Sequence, residues 1–426
     1  MKLLWVCNMV PGEIRAKVSG GSGSAYWVDH VLSGIRERKI PLRILCRGGE
    51  ARGQLDESCS YVLFPALPPR QYSAQVESLF LQELRDFRPD VIHIWGTEYS
   101  HTLAMVNAAE KAGMPDRVVI GIQGLCSVIE RHYCEGIPMA VARSCTFREL
   151  LRGDNILGQQ KAFALRGKQE KEALQKVSHV LGRTEWDRAC VESINPKVQY
   201  HFCNETLREP FYRDTWSYET CQKHRIFASS CVYPVKGFHY LLEAFAQLLK
   251  KYPDATLAVP GKDFRDLRTL TKRLRENSYN RYLRKLTEQY HLGDKVEILG
   301  SLSPEEMKEQ YLKANVFALP STIENSPNSM GEAMLLGTPC VAADVGGVST
   351  MLRHNAEGFV YQSTAPYMLA HYIDRIFSMQ EAAESMGQAA ATHARMTHDP
   401  DQNMKELLRA YRTIAADRSE EATGIE

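Results

Sequence analysis

Short apolar runs alternate with longer amphipathic stretches along nearly the whole chain. The runs at 3–7, 42–46, 61–64, 91–95, 118–122, 179–182, 198–202, 225–228, 256–259, 296–299, 316–319 and 340–343 have the length and composition of strands. Between them lie stretches such as YLLEAFAQLLKKY, whose apolar residues recur at i, i+3, i+4 and i+7 as on one face of a helix. This alternation predicts parallel sheets covered by helices on both faces. A polar, aromatic-dotted segment at about 204–222 has no clear period and separates two α/β halves. The expected layout is an amino-terminal domain over 1–205, a linker over 206–222 and a carboxyl-terminal domain over 223–395. A helix and tail over 396–426 follow, with the first domain as one surface on which they could pack. Paired domains of this kind leave a cleft at the carboxyl ends of their strands, where ligands bind.

At 426 residues the chain exceeds the size of a single growing core, which agrees with two domains. Its net charge of +1 provides no basic field for nucleic acid, so no such partner is expected. The eleven cysteines stand singly, without the paired spacing of a zinc site, and suit a reducing cytoplasm. The opening MKLLWVCNMVPGE reads as a first strand rather than a signal peptide, and no apolar run is long enough to span a bilayer.

Candidate chemistry concentrates in PSTIENSPNSMGEAMLLGTPCVAADVGG, residues 320–347. Ser329 fits a helix N-cap, Glu332 the third helical position and Gly337 the stop. On spacing alone, Ser329 and Glu332 form a capping box, and Glu324 is a solvated loop acid. Three features point further. A helix start at Asn328, Ser329, Met330 and Gly331 offers amides and a positive dipole end to a phosphate. Gly331 and the pair Gly346–Gly347 permit close backbone approach. Two carboxylates flanking an anion site can accept from hydroxyl groups, and phosphate between two sets of hydroxyls describes a nucleotide sugar.

Residues 320–347 resemble the donor-site signature of the retaining glycosyltransferases of family 4, with the E-x7-E motif at Glu324 and Glu332. FASSCVYPVKGFHYLLEAF and LGSLSPEEMKEQYLKANVFALPS resemble neighbouring parts of the same domain. SGGSGSAYWVDHVLSGI, PDVIHIWG and VLGRTEWDRACV resemble landmarks of the acceptor domain. The resemblance implies the GT-B fold, two Rossmann-like doubly wound domains facing across a cleft. It implies that Glu324 binds donor-sugar hydroxyls, Glu332 binds the ribose, and the amides of 328–331 bind the diphosphate. Lys236 would neutralise the leaving group, and Gly20 and Gly21 would cap the phosphate from the other domain. Plain turn chemistry before a helix at 24–38 competes for those two glycines. They do not form a dinucleotide fingerprint, since Tyr26 stands where the third glycine belongs.

The chain departs from the family pattern at two donor-binding positions. Ser230 stands where an arginine is common, and Gln123 where a histidine is common. His93 reads as a core histidine at a strand end. The implied reaction moves a hexose-type sugar from a UDP- or GDP-sugar to an acceptor hydroxyl with retained configuration, by front-face attack. It needs no metal and no cofactor, and the setting would be polysaccharide or glycoconjugate assembly. The acceptor would be a saccharide or a lipid-linked saccharide. Segment 125–154 mixes Arg131, Arg143, Arg148 and Arg152 with apolar residues, and would cover the acceptor or touch an anionic membrane surface, or be a plain solvated loop. The basic stretch 262–285 reads as a solvent-facing helix. Competing readings are a nucleotide-sugar binding protein without turnover, and a GT-B epimerase or phosphorylase.

Overall fold

A computed structural model describes residues 1–19, 26–66, 68 and 71–421. The chain divides into two compact units. The first comprises Met1–Val128, Phe163–Thr206 and His398–Glu426, and the second Ile129–Ala162 and Leu207–Thr397.

The first unit is built on eight strands. These are β1 (Leu3–Cys7), β2 (Leu42–Arg47), β3 (Ala51–Gln54), β4 (Cys59–Phe64), β5 (Val91–Trp95), β6 (Val118–Gly121), β7 (His179–Gly182) and β8 (Gln199–Phe202). Their order is β3-β4-β2-β1-β5-β6-β7-β8, and every pairing is parallel except β3 with β4. The run LLWVC is apolar throughout because both faces of β1 are covered. Leu4 and Val6 join one core with Phe80 and Leu84, while Leu3, Trp5 and Cys7 join another. The second core is closed by the last helix, Pro400–Glu421, which contributes Met404, Leu407, Leu408, Tyr411 and Ile414.

The second unit carries β9 (Arg225–Phe227), β10 (Thr256–Val259), β11 (Val296–Ile298), β12 (Val316–Leu319), β13 (Cys340–Ala343) and β14 (Phe359–Tyr361). All are parallel, in the order β11-β10-β9-β12-β13-β14. The direction of winding reverses between β9 and β12, so the loops leaving these two strands diverge and open a crevice at their carboxyl ends.

Residues 129–162 fall in this second unit, whereas the sequence reading placed them with the amino-terminal half. Polar contacts explain the difference. Thr322 Oγ1 donates to the His132 carbonyl at 3.1 Å, and the His239 ring meets the Glu135 carbonyl at 3.2 Å. Ser278 donates to Glu149 from its amide at 2.9 Å and from its hydroxyl at 2.8 Å. Among the described residues, no helix is long and apolar enough to cross a membrane.

Candidate functional site

The crevice of the second unit is framed by the loop after β9, which carries Ser230 and Lys236, and the loop after β12, which carries Glu324. A glycine locks these loops together. Gly237 has φ +63°, and a Cβ there would lie 1.8 Å from the Pro320 carbonyl oxygen. The Thr322 amide donates to the Val235 carbonyl at 2.8 Å. Lys236 is thereby held against the second loop, and its Nζ donates to Glu324 Oε1 at 2.6 Å. Ser321 Oγ donates to the same oxygen at 2.7 Å.

Gly346 fixes Glu324 from the other side. It has φ +54°, and a Cβ on it would fall 1.8 Å from the Glu324 carbonyl oxygen. That oxygen also accepts from the Gly347 amide at 3.1 Å. The close approach anticipated for a ligand at Gly346 is therefore made by the chain itself.

The helix beyond this loop is Asn328–Leu336, with Pro327 in the cap position and no side-chain cap. Ser329 is thus not the N-cap, Glu332 is the fifth helical residue rather than the third, and no capping box forms. Proline has no side-chain acceptor, and its carbonyl takes the Met330 amide at 2.9 Å and the Gly331 amide at 3.1 Å. Two of the four amides expected to face an anion are therefore engaged within the turn. Gly337 ends the helix in the left-handed conformation, φ +76°, as the sequence suggested.

Glu332 is buried, and burial raises its carboxyl pKa against the opposing pull of Arg208. Arg208 Nε and Nη2 donate to Glu332 Oε1 and Oε2 at 2.5 and 2.6 Å, a bidentate fork. The guanidinium lies 4.8 Å from the Phe211 ring centroid. Sequence reasoning missed Arg208 because it falls in the segment read as a linker. The one available signal was that a carboxylate buried in an apolar helix requires a cation from elsewhere.

Ser230 accepts from the Val232 amide at 3.4 Å. Gln123 belongs to the first unit, where its Nε2 donates to Glu205 Oε1 at 2.6 Å. Arg183 pairs with Glu205 at 2.7 Å and donates to the Gln123 carbonyl at 3.3 Å. These residues line a pocket with His93 and Trp95. His93 is a core residue, its Nδ1 2.7 Å from the Tyr411 hydroxyl, and burial lowers its pKa to about 3. Gly20 and Gly21 lie outside the described residues. The structure thus joins Lys236, Ser321 and Glu324 in one contact and couples Glu332 to Arg208.

The family Glycosyl transferases group 1 matches residues 221–393, so this stretch is a glycosyltransferase domain. YtcC of Bacillus subtilis (strain 168), whose name places it provisionally among glycosyltransferases, is 28% identical over 213 residues, 49% of this chain and 50% of that protein. The chain thus spans about half the length of the curated relative it matches. Among solved structures, sucrose-phosphate synthase from Thermosynechococcus elongatus superposes with a TM-score of 0.72 at 15% identity, over 98% of this chain and 100% of that one. Anabaena Alr3699/HepE, solved with UDP-glucose, gives 0.64 at 17% identity, over 99% and 100%. At these identities the likeness establishes the fold, which is GT-B.

Proposed function

We propose that the protein, through its group 1 glycosyltransferase domain, is a retaining glycosyltransferase of family 4. It moves a hexose-type sugar from a UDP- or GDP-sugar to a hydroxyl of a saccharide or lipid-linked saccharide, in polysaccharide or glycoconjugate assembly. The observation that carries this reading is the 2.6 Å contact between Lys236 and Glu324 at the winding reversal, inside the matched stretch. The UDP-glucose complex of the Anabaena protein makes that donor the first to test.

In this reading the bond between the anomeric carbon and the leaving phosphate oxygen breaks, and the acceptor oxygen bonds to the same face. The acceptor proton passes to the departing phosphate, and a nucleoside diphosphate is released. Lys236 offsets the negative charge that grows on the leaving group, where a preplaced cation is most effective. Glu324 accepts hydrogen bonds from sugar hydroxyls. Glu332 accepts from the ribose: each carboxylate oxygen has two lone-pair sites, so the Arg208 fork leaves capacity for hydroxyl donors. No metal or cofactor enters the scheme.

The test is nucleotide release from a panel of UDP-, GDP- and ADP-sugars. Glu324→Gln should lower release by about a hundredfold or more, the scale of a lost electrostatic group, with nucleotide affinity retained. Glu332→Ala should weaken nucleotide binding. Full turnover by Glu324→Gln would sink the assignment. Tight nucleotide binding without release from any donor would favour a binding protein instead.

A further inference from the structure

The second unit exposes an apolar surface whose orientation is fixed from beneath. In the helix Phe147–Arg152, Phe147, Leu150 and Leu151 lie on one side by helical spacing, and that side faces solvent. Leu150 and Leu151 are each 72% exposed, and Phe147 59%. The inward residue is the acid Glu149, only 1% exposed. Its Oε2 accepts from the Thr146 amide at 2.9 Å, and its Oε1 takes the amide and hydroxyl of Ser278. The helix is therefore inverted, its polar residue anchored and its leucines held outward.

A second helix, Leu270–Arg275, packs beside it and buries none of its residues. Leu270 is 72% exposed and Leu274 45%. Thr269 caps this helix by accepting from the Lys272 amide at 3.3 Å.

Basic side chains outnumber acids around these leucines: Lys272 pairs with Asp266 and Arg148 with Asp154 at 3.1 Å, and Asp263 and Glu276 line the same groove as Arg152 and Arg275. Residues 270–275 contain Lys272, Arg273 and Arg275 and no acid, and the only acid in 147–152 is the buried Glu149. Arg152 and Arg275 line one groove together, and neither has a carboxylate partner among the described residues. Outward leucines rimmed by unpaired arginines match an interface that is apolar in depth and anionic at its surface. A second copy of the chain is a poorer occupant, because a two-fold contact would set this basic rim against itself. Nucleic acid is poorer again, because Phe147 is the only aromatic ring on either helix.

We propose that the face formed by Phe147–Arg152 and Leu270–Arg275 docks the protein onto an anionic lipid bilayer, with the leucines entering the acyl boundary and the arginines meeting lipid phosphates. The proposal stands on this surface alone and does not depend on the donor chemistry.

Co-sedimentation of the full chain with vesicles tests it. Binding to phosphatidylcholine vesicles containing phosphatidylglycerol should exceed binding to phosphatidylcholine alone, and should weaken in high salt. The triple variant Leu150→Ser, Leu151→Ser and Leu270→Ser should lower partitioning by about tenfold or more. The charge variant Arg152→Gln and Arg275→Gln should do the same for anionic vesicles only, again by about tenfold. Nucleotide release from a soluble donor should be unchanged in the triple serine variant. Failure to sediment with anionic vesicles, equal binding to neutral ones, or full binding by either variant would overturn the proposal. So would a dimer in solution that the triple serine variant dissociates while vesicle binding is unchanged.

Discussion

Arg208 and Glu332 show how one side chain can be essential to another's chemistry without adjoining it in sequence. Glu332 sits in a helix buried from Met330 to Leu336, and among the described residues the fork from Arg208 is what sustains its charge. Removing one partner of such a pair leaves an uncompensated buried charge. Arg208→Ala should cost about 3 kcal/mol in chemical denaturation. The double variant Arg208→Met with Glu332→Leu, which removes both charges, should recover much of that loss. A double variant as unstable as Arg208→Ala would show that packing, not charge, is what the pair supplies. The two glutamates were legible in the sequence because their spacing and surrounding motif lie in one stretch. Arg208 was not, because it lies 124 residues from its partner in an aperiodic segment.

At the level of elements, backbone meets backbone at Gly237 and Gly346, with no room for a Cβ at either. Gly346→Ala would force both a strained positive φ and the displacement of the Glu324 carbonyl. It should cost roughly 1–3 kcal/mol in stability. Nucleotide release should fall more steeply than stability, because the displaced loop carries Glu324. Wild-type release from Gly346→Ala would show that the contact does not position the acid. The sequence revealed the strands buried on both faces, since these read as unbroken apolar runs. It concealed β3, a polar edge strand of sequence ARGQ, and β14, whose three residues are too few to show a period. The helix start was misplaced by two residues because Ser329 has the better capping chemistry, whereas Pro327 has the backbone geometry that prevailed.

For the whole molecule, each unit has its own sheet and cores, and Lys236, Glu324 and Glu332, proposed to offset the charge on the leaving phosphate and to grip the sugar and ribose, lie in the second. UDP at a hundred times its Kd should stabilise the protein by about 2.7 kcal/mol if it binds the folded form alone. Hydrogen exchange should slow chiefly in segments 228–237 and 320–337. Protection confined to the first unit would contradict the site. The first unit has its own peculiarity, for its second core is sealed by Met404, Leu408 and Tyr411 from the helix Pro400–Glu421. As the chain leaves the ribosome, the part of that core filled by this helix must stay uncovered while everything from residue 207 to 397 is translated. The first unit is thus begun before the second and finished after it, and it depends on a cover for the exposed patch in the meantime.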